Sequence, residues 1–236
     1  ASWSEVYEII KSKLKNTDKE KICGITGDLT NMETLCIFKE FFNKTLDSDN
    51  IESRSDHAYL NPDKRENYLF NSSINGIENS DFIFLIGSNP RYEATILNAR
   101  IRKAYLQNKM QIISLNDLGD LTYPYRSLDG DVQNIKDITD DNHEISSLIT
   151  KAKKPMIIFG QSIFKSQNAK FIFETLKSYL IKKGKISNEW NSLNVISENA
   201  STVGSFDLGI YKTKDGSNEV LKNLENHKYE IIYLLG

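Results

Sequence analysis

The sequence predicts an α/β fold with parallel strands, and three observations carry that prediction. Asp81 to Ile86 reads as a strand, about Glu93 to Lys109 as a helix and Gln111 to Leu115 as the next strand. The short links between them make a β-α-β unit, which crosses over right-handed between parallel strands. Three apolar runs end in glycine, at Gly87, Gly160 and Gly236, where a strand of an open sheet must turn sharply into the following loop. With 236 residues, 39 % of them apolar and 26 % charged, the chain has the length and composition of a globular protein of one large or two small domains.

The remaining elements follow in order. Trp3, Val6, Tyr7, Ile10 and Leu14 recur at helical spacing after Ser2, a natural N-cap, so the chain opens with a helix. Lys21 to Ile25 reads as a strand closed by Gly27, and Asn31 caps a second helix with Leu35, Cys36, Phe38, Phe41 and Phe42 on its apolar face. Asp47 to Asn67 is polar and irregular and reads as a long loop with short pieces of structure, and Asp117 to Asn142 is polar again. A second series then starts, with a helix at Glu144 to Lys151, a strand at Met156 to Phe159 and a helix at Phe164 to Lys182. It closes with strand-like Asn194 to Ile196, a short helix near Glu219 to Leu224 and a strand at Glu230 to Leu235. The expected division is a first α/β unit over 1–142 and a second over 143–236. The chain opens Ala-Ser-Trp and stops on an apolar run, so both ends are expected to be cuts within a longer polypeptide.

Composition excludes several classes of function. The net charge is −2 with acids and bases interspersed, which leaves no footprint for nucleic acid or anionic lipid. No apolar run approaches the roughly 20 residues of a membrane-spanning helix, so no direct membrane insertion is expected. The two cysteines, Cys23 and Cys36, sit among apolar neighbours as buried thiols do, and they form no Cys-x-x-Cys pair for zinc or an iron–sulfur cluster. His57, His143 and His227 are scattered through polar stretches and are expected at the surface.

Motifs for chemistry are sparse. No Gly-x-Gly-x-x-Gly and no Gly-x-x-x-x-Gly-Lys-Ser/Thr follows a strand. Gly160-Gln161-Ser162 resembles a hydrolase elbow only faintly, because Phe164 stands where that motif needs glycine. The acids between Asp117 and Asp141 lack the Gly and Glu placement of a calcium loop and read as a solvated surface. The one dense constellation is Gly87-Ser88-Asn89-Pro90-Arg91-Tyr92-Glu93, continued by Arg100, Arg102 and Lys103. Free backbone N–H groups at the entry to the helix could receive a phosphate or carboxylate that Arg91 neutralises. Equally, Asn89 and Pro90 could shape a turn while the basic residues form a patch that is solvated or pairs with a neighbour. No catalytic and no metal-ligating residue is expected.

The run from Ile86 to Ala104 resembles the large iron–sulfur subunit of respiratory complex I, the NADH:quinone oxidoreductase. Asn67 to Asp81, Asp120 to Tyr125 and Ala152 to Gly160 agree with that family in the right order. The resemblance implies Rossmann-like parallel-sheet layers of the molybdopterin-oxidoreductase type. In cofactor-bearing relatives the corresponding loop leads to a histidine-proline pair, and the next strand ends in aspartate-proline-arginine. Here Glu93-Ala94 and Leu115-Asn116-Asp117 stand at those places, and no cysteine lies between the second helix and Asp81. Those departures imply a retained scaffold without molybdenum or pterin, with Gly87, Ser88, Asn89 and Arg91 as a relic anion loop. The alternative is a molybdopterin-dependent oxidoreductase domain that keeps its cofactor; another is a free-standing α/β domain that binds an anion at Gly87 to Arg91.

The resemblance implies that the segment works within a proton-translocating oxidoreductase. The 2Fe-2S and 4Fe-4S clusters are expected in the subunit's N-terminal part, and other peripheral-arm subunits are the expected partners, with Arg91, Arg100 and Arg102 pairing to them. The expected location is the matrix side of the mitochondrial inner membrane, or the cytoplasmic face of a bacterial inner membrane. Abundant lysine and asparagine fit an AT-rich organellar or bacterial genome.

Overall fold

A computed structural model describes residues 1–56 and 58–236. His57, one of the three histidines expected at the surface, lies outside the described residues. The chain forms two compact units: one joins the residues before Ala58 to Asn199–Gly236, and the other is Ala58–Glu198.

In the first unit the chain runs through helix α1 (Trp3–Asn16), strand β1 (Ile22–Thr26), helix α2 (Met32–Glu40) and strand β2 (Ile51–Glu52). Ser2 and Glu5 close α1 as a reciprocal capping box, with Ser2 Oγ accepting from Glu5 N–H and the Glu5 carboxylate accepting from Ser2 N–H at 2.7 Å. Asn31 caps α2 through Thr34 N–H, and a π-helical turn, Phe41–Leu46, continues it to Asp47, whose φ is +51°. Phe38 and Phe42 pack across β1, and only glycine fits beneath them, because a Cβ on Gly24 would lie 2.4 Å from the Phe38 ring.

The second unit contains strand β3 (Phe82–Ile86), helices α3 (Pro90–Glu93) and α4 (Thr95–Asn108), and strands β4 (Gln111–Ser114) and β5 (Arg126–Ser127). Helices α5 (Val132–Thr139) and α6 (Glu144–Lys151), strand β6 (Pro155–Phe159), helices α7 (Gln161–Phe164) and α8 (Ala169–Lys182), and strand β7 (Leu193–Val195) follow. Its sheet has the order β5-β4-β3-β6-β7, all parallel. Residues alternate across it. Ile83, Leu85, Met156 and Ile158 join Leu97, Ile101 and Ala104 of α4 in one buried cluster. On the other face Phe159 meets Phe164 and Phe173 with ring centroids 5.2–6.2 Å apart. Both faces are covered, as a parallel sheet requires.

The chain then returns to the first unit through α9 (Ala200–Leu208), α10 (Glu219–Glu225) and β8 (Ile231–Leu235). There β8 lies parallel to β1 in the order β2-β1-β8, with Ile22 opposite Ile231 and Thr26 opposite Leu235. Near the end of β2, Arg54 and Glu52 form a buried ion pair, with Nη2 2.7 Å from Oε2 and Nε donating to Oε1 at 2.8 Å.

These units differ from the expected division at residue 142. That boundary would cut the five-stranded sheet, since β3 pairs with β4 before it and with β6 after it. It would also separate β8 from β1, its one sheet neighbour among the described residues. Two expected helices start later than expected, α4 at Thr95 where Glu93 was expected and α8 at Ala169 where Phe164 was, each after a separate short helix. Ala94, at φ −150° and ψ 68°, separates α3 from α4, and residues 165–168 separate α7 from α8. Strands β2 and β5 and helices α5 and α9 fall where polar loops or no element were expected. Cys23 is buried, and burial pushes its thiol up to about 11. Cys36, also expected inside, is exposed. No helix among the described residues is long and apolar enough to cross a membrane.

Candidate functional site

In the second unit the chain winds from β3 outward to β4 and β5, then returns to place β6 on the other side of β3. The carboxyl ends of β3 and β6 therefore flank a topological switch point, the place where open α/β sheets bind ligands. The loops that leave these two strands begin with Gly87 and Gly160. The fold thus carries the loop singled out in the sequence to the position where a ligand is expected.

The two loops meet through their backbones. Gly160 N–H donates to Ile86 O at 3.0 Å, and Ser162 Oγ donates to Gly87 O at 2.6 Å. Gly87 has φ +61°, and a Cβ on Gly160 would lie 2.3 Å from Gly87 O. Ile163 closes the other side, since a Cβ on Gly87 would sit 2.6 Å from its Cβ. The glycines serve a tight loop-to-loop contact. The Ser162 hydroxyl hydrogen is engaged by a backbone carbonyl, which suits a structural serine.

Two of the groups proposed to receive an anion, Asn89 N–H and the Arg91 guanidinium, are engaged by the chain itself. Asn89 caps α3 by accepting from Arg91 N–H at 3.2 Å, and its Nδ2 donates to Leu118 O at 3.0 Å. Asn89 N–H donates to Glu93 Oε1 at 2.8 Å, so the chain's own carboxylate stands against the loop. Arg91 Nη1 lies 2.7 Å from Asp120 Oδ2 and donates to Asp120 O at 2.6 Å. Asp120 is held below the usual carboxylate range by the Thr122 N–H, then by Arg91. The Ser88 hydroxyl and Glu93 Oε2 are buried without a hydrogen-bond partner.

These residues do not fit the phosphates of a pterin dinucleotide. A phosphate oxygen received by Asn89 N–H would share it with the Glu93 carboxylate. Two like unit charges about 4 Å apart repel by roughly 4 kcal/mol at an effective dielectric constant of about 20. The arginine that would offset this points to Asp120 instead.

Two of the other basic residues also meet an acid within the chain. Arg100 pairs with Glu78, as does Lys103 at 2.9 Å, and the two hold the Glu78 carboxyl below its ordinary range. Arg91 and Arg100 thus find acids within the chain, where neighbouring subunits were expected to supply them. Arg102 is exposed and acts on Asp120 through space. The acids between Asp117 and Asp141 shape turns and helix ends. Asp117 accepts from Gly119 N–H and Tyr125 OH, Asp131 caps α5, and Asp141 accepts from Tyr179 OH and Lys183. His143 is half-buried and caps α6 with Nδ1, while His227 is exposed. Among the described residues no group of three or more His, Cys, Asp and Glu side chains is placed to hold a metal ion.

Sequence reasoning placed the loop but missed the engagement of Glu93, Asp120 and Ser162. The Asn89-to-Glu93 spacing of one helical turn, which can return a side chain to a capping N–H, was the available signal.

The sequence has relatives among known proteins. The family model described as molybdopterin oxidoreductase matches residues 1–236. The whole chain is similar to the NADH-ubiquinone oxidoreductase 75 kDa subunit of Reclinomonas americana, at 34 % identity over 36 % of that protein. It is likewise 30 % identical to the mitochondrial NADH dehydrogenase (ubiquinone) iron-sulfur protein 1 of Solanum tuberosum, over 31 % of that protein. Over 90 % of its length it is 30 % identical to an NADH-quinone oxidoreductase subunit of Rickettsia prowazekii, covering 31 % of it. The chain therefore spans about a third of the length of these relatives.

Proposed function

The chain belongs to the molybdopterin oxidoreductase family, and from that premise we propose that it is a non-catalytic scaffold within the large iron–sulfur subunit of an NADH:ubiquinone oxidoreductase. In this reading it supports electron transfer from NADH to quinone without touching either reactant. The 2Fe-2S and 4Fe-4S clusters reside in the N-terminal part of the subunit, and other peripheral-arm subunits surround this segment. The assembly sits on the matrix side of the mitochondrial inner membrane, or on the cytoplasmic face of a bacterial one. The names of relatives matched along the whole chain support the assembly. The observation that carries the scaffold assignment is Glu93, whose carboxylate accepts the loop N–H that a cofactor phosphate would need.

The test is purification of the full-length protein from its own cells through an affinity tag. It is expected to elute with NADH:quinone reductase activity in one large assembly, with that activity lost when the gene is removed. Elution as a monomer free of that activity would overturn the reading.

A further inference from the structure

The amino edge of the second unit's sheet gathers lysines that the sequence keeps apart. Helix α6 ends at Lys151 and helix α8 at Lys182, and the chain then runs to β6 at Pro155 and to β7 at Leu193. Because β6 and β7 are parallel neighbours, both connections enter at the same edge, on strands about 5 Å apart. Lys151, Lys153 and Lys154 come from the first helix end and connection, and Lys182, Lys183 and Lys185 from the second. The Lys185 ammonium ties the two together, donating to Thr150 O at 2.9 Å and to Ala152 O at 2.6 Å.

These lysines outnumber the acids beside them. Asp81, at the amino end of β3, accepts from the backbone N–H groups of Lys153 and Lys154 at 2.6 and 2.9 Å. Asp141 pairs with Lys183 at 2.9 Å, and Glu189 is exposed on the second connection. The carboxyl ends of α6 and α8 add roughly half a negative charge each. The edge is left positive in a chain whose net charge is −2. Lys183 and Lys185 have structural work, in the Asp141 pair and on the last carbonyls of α6. Lys151, Lys153, Lys154 and Lys182 are exposed, and no acid among the described residues pairs with them. Lys154 is steadied by the Trp190 ring, whose centre lies 5.4 Å from its Nζ.

We propose that this edge docks an acidic segment of a neighbouring subunit, with carboxylates set against Lys151, Lys153, Lys154 and Lys182. Opposite charges across an interface steer partners together and fix their register. Carboxylates suit the site better than the phosphates of nucleic acid or lipid. Arginine, whose planar fork grips phosphate, is missing from both connections. Trp190 is half-buried with Nε1 donating to Pro155 O at 2.8 Å, so it offers no free ring to a base. The one large apolar side chain exposed beside the lysines, Ile181, is too little to anchor in a bilayer. The proposal rests on the reading of the chain as part of an assembly, and it names the surface and the charge of one contact there.

The test treats the purified assembly, containing the full-length protein, with a carbodiimide that joins lysine amines directly to carboxylates, and maps the joined peptides by mass spectrometry. Cross-links are expected from at least two of the four lysines to aspartate or glutamate within one short segment of another subunit. In parallel, Lys151→Gln, Lys153→Gln, Lys154→Gln and Lys182→Gln are combined in one variant, and the four arginine substitutions in another. Co-elution with other subunits is followed as salt is raised. The glutamine variant is expected to release at about half the parent's salt concentration or less, and the arginine variant at the parent's. Cross-links confined to the same polypeptide or to a second copy would overturn the proposal, as would no cross-link or a glutamine variant that releases with the parent. Lipid or nucleic acid lost from the glutamine variant alone would overturn it too. A parent protein that co-elutes with no other subunit would instead strike the assembly reading.

Discussion

Glu93 and Gly160 together decide what the switch point can do. The Glu93 carboxylate meets the Asn89 N–H, and the glycine lets two loops touch backbone to backbone. Gly160 has no room for a methyl group, because the nearest obstacles are Gly87 O and Ser88 Cα, which are main-chain atoms that cannot swing aside. Gly160→Ala is therefore expected to destabilise the protein by about 1–3 kcal/mol, the usual cost of overpacking. Urea unfolding followed by circular dichroism would read this, and an unchanged midpoint would show that the loops have space between them. Gly87 and Gly160 were legible in the sequence as strand-closing glycines. Their mutual contact was not, because it joins loops far apart in the chain and depends on which strands neighbour each other.

Among the elements, local chemistry predicted helices well where a cap and a periodic face coincide. Ser2 and Asn31 start α1 and α2 as expected, and β3, β6 and β8 occupy their apolar runs. Helix α5 was lost in the sequence because Asp131, which caps it, stands among acids that read as solvated surface. Strands β2 and β5 have two residues each, too few to show a period. Those same acids predict a pH response. Glu78, Asp117, Asp120, Asp129 and Asp141 are all held below their ordinary range, chiefly by hydrogen bonds. A depressed folded pKa contributes stability above the unfolded value and loses it as pH falls through the folded one. Stability is expected to decline below about pH 4, and Asp141→Asn, which removes the charge facing Lys183, to flatten that decline. Urea midpoints at pH 7 and pH 3 check this; an Asp141→Asn slope equal to the parent's would contradict it.

At the scale of the whole molecule, the α/β class with parallel strands was legible from a single β-α-β unit, and the family was legible from Ile86 to Ala104. The division of the chain was not. Strand β8 pairs with β1 across nearly the entire sequence, and no local period records such a pairing. Membership of the molybdopterin oxidoreductase family holds along the whole chain, while Glu93, Arg91 and Gly160 make contacts within it. On the proposed function the chain is a scaffold that holds no molybdenum. The most direct test is the molybdenum content of the purified full-length protein with whatever co-elutes, measured by mass spectrometry and normalised to this chain. Molybdenum at background level is the expected result; one molybdenum per chain would contradict the account.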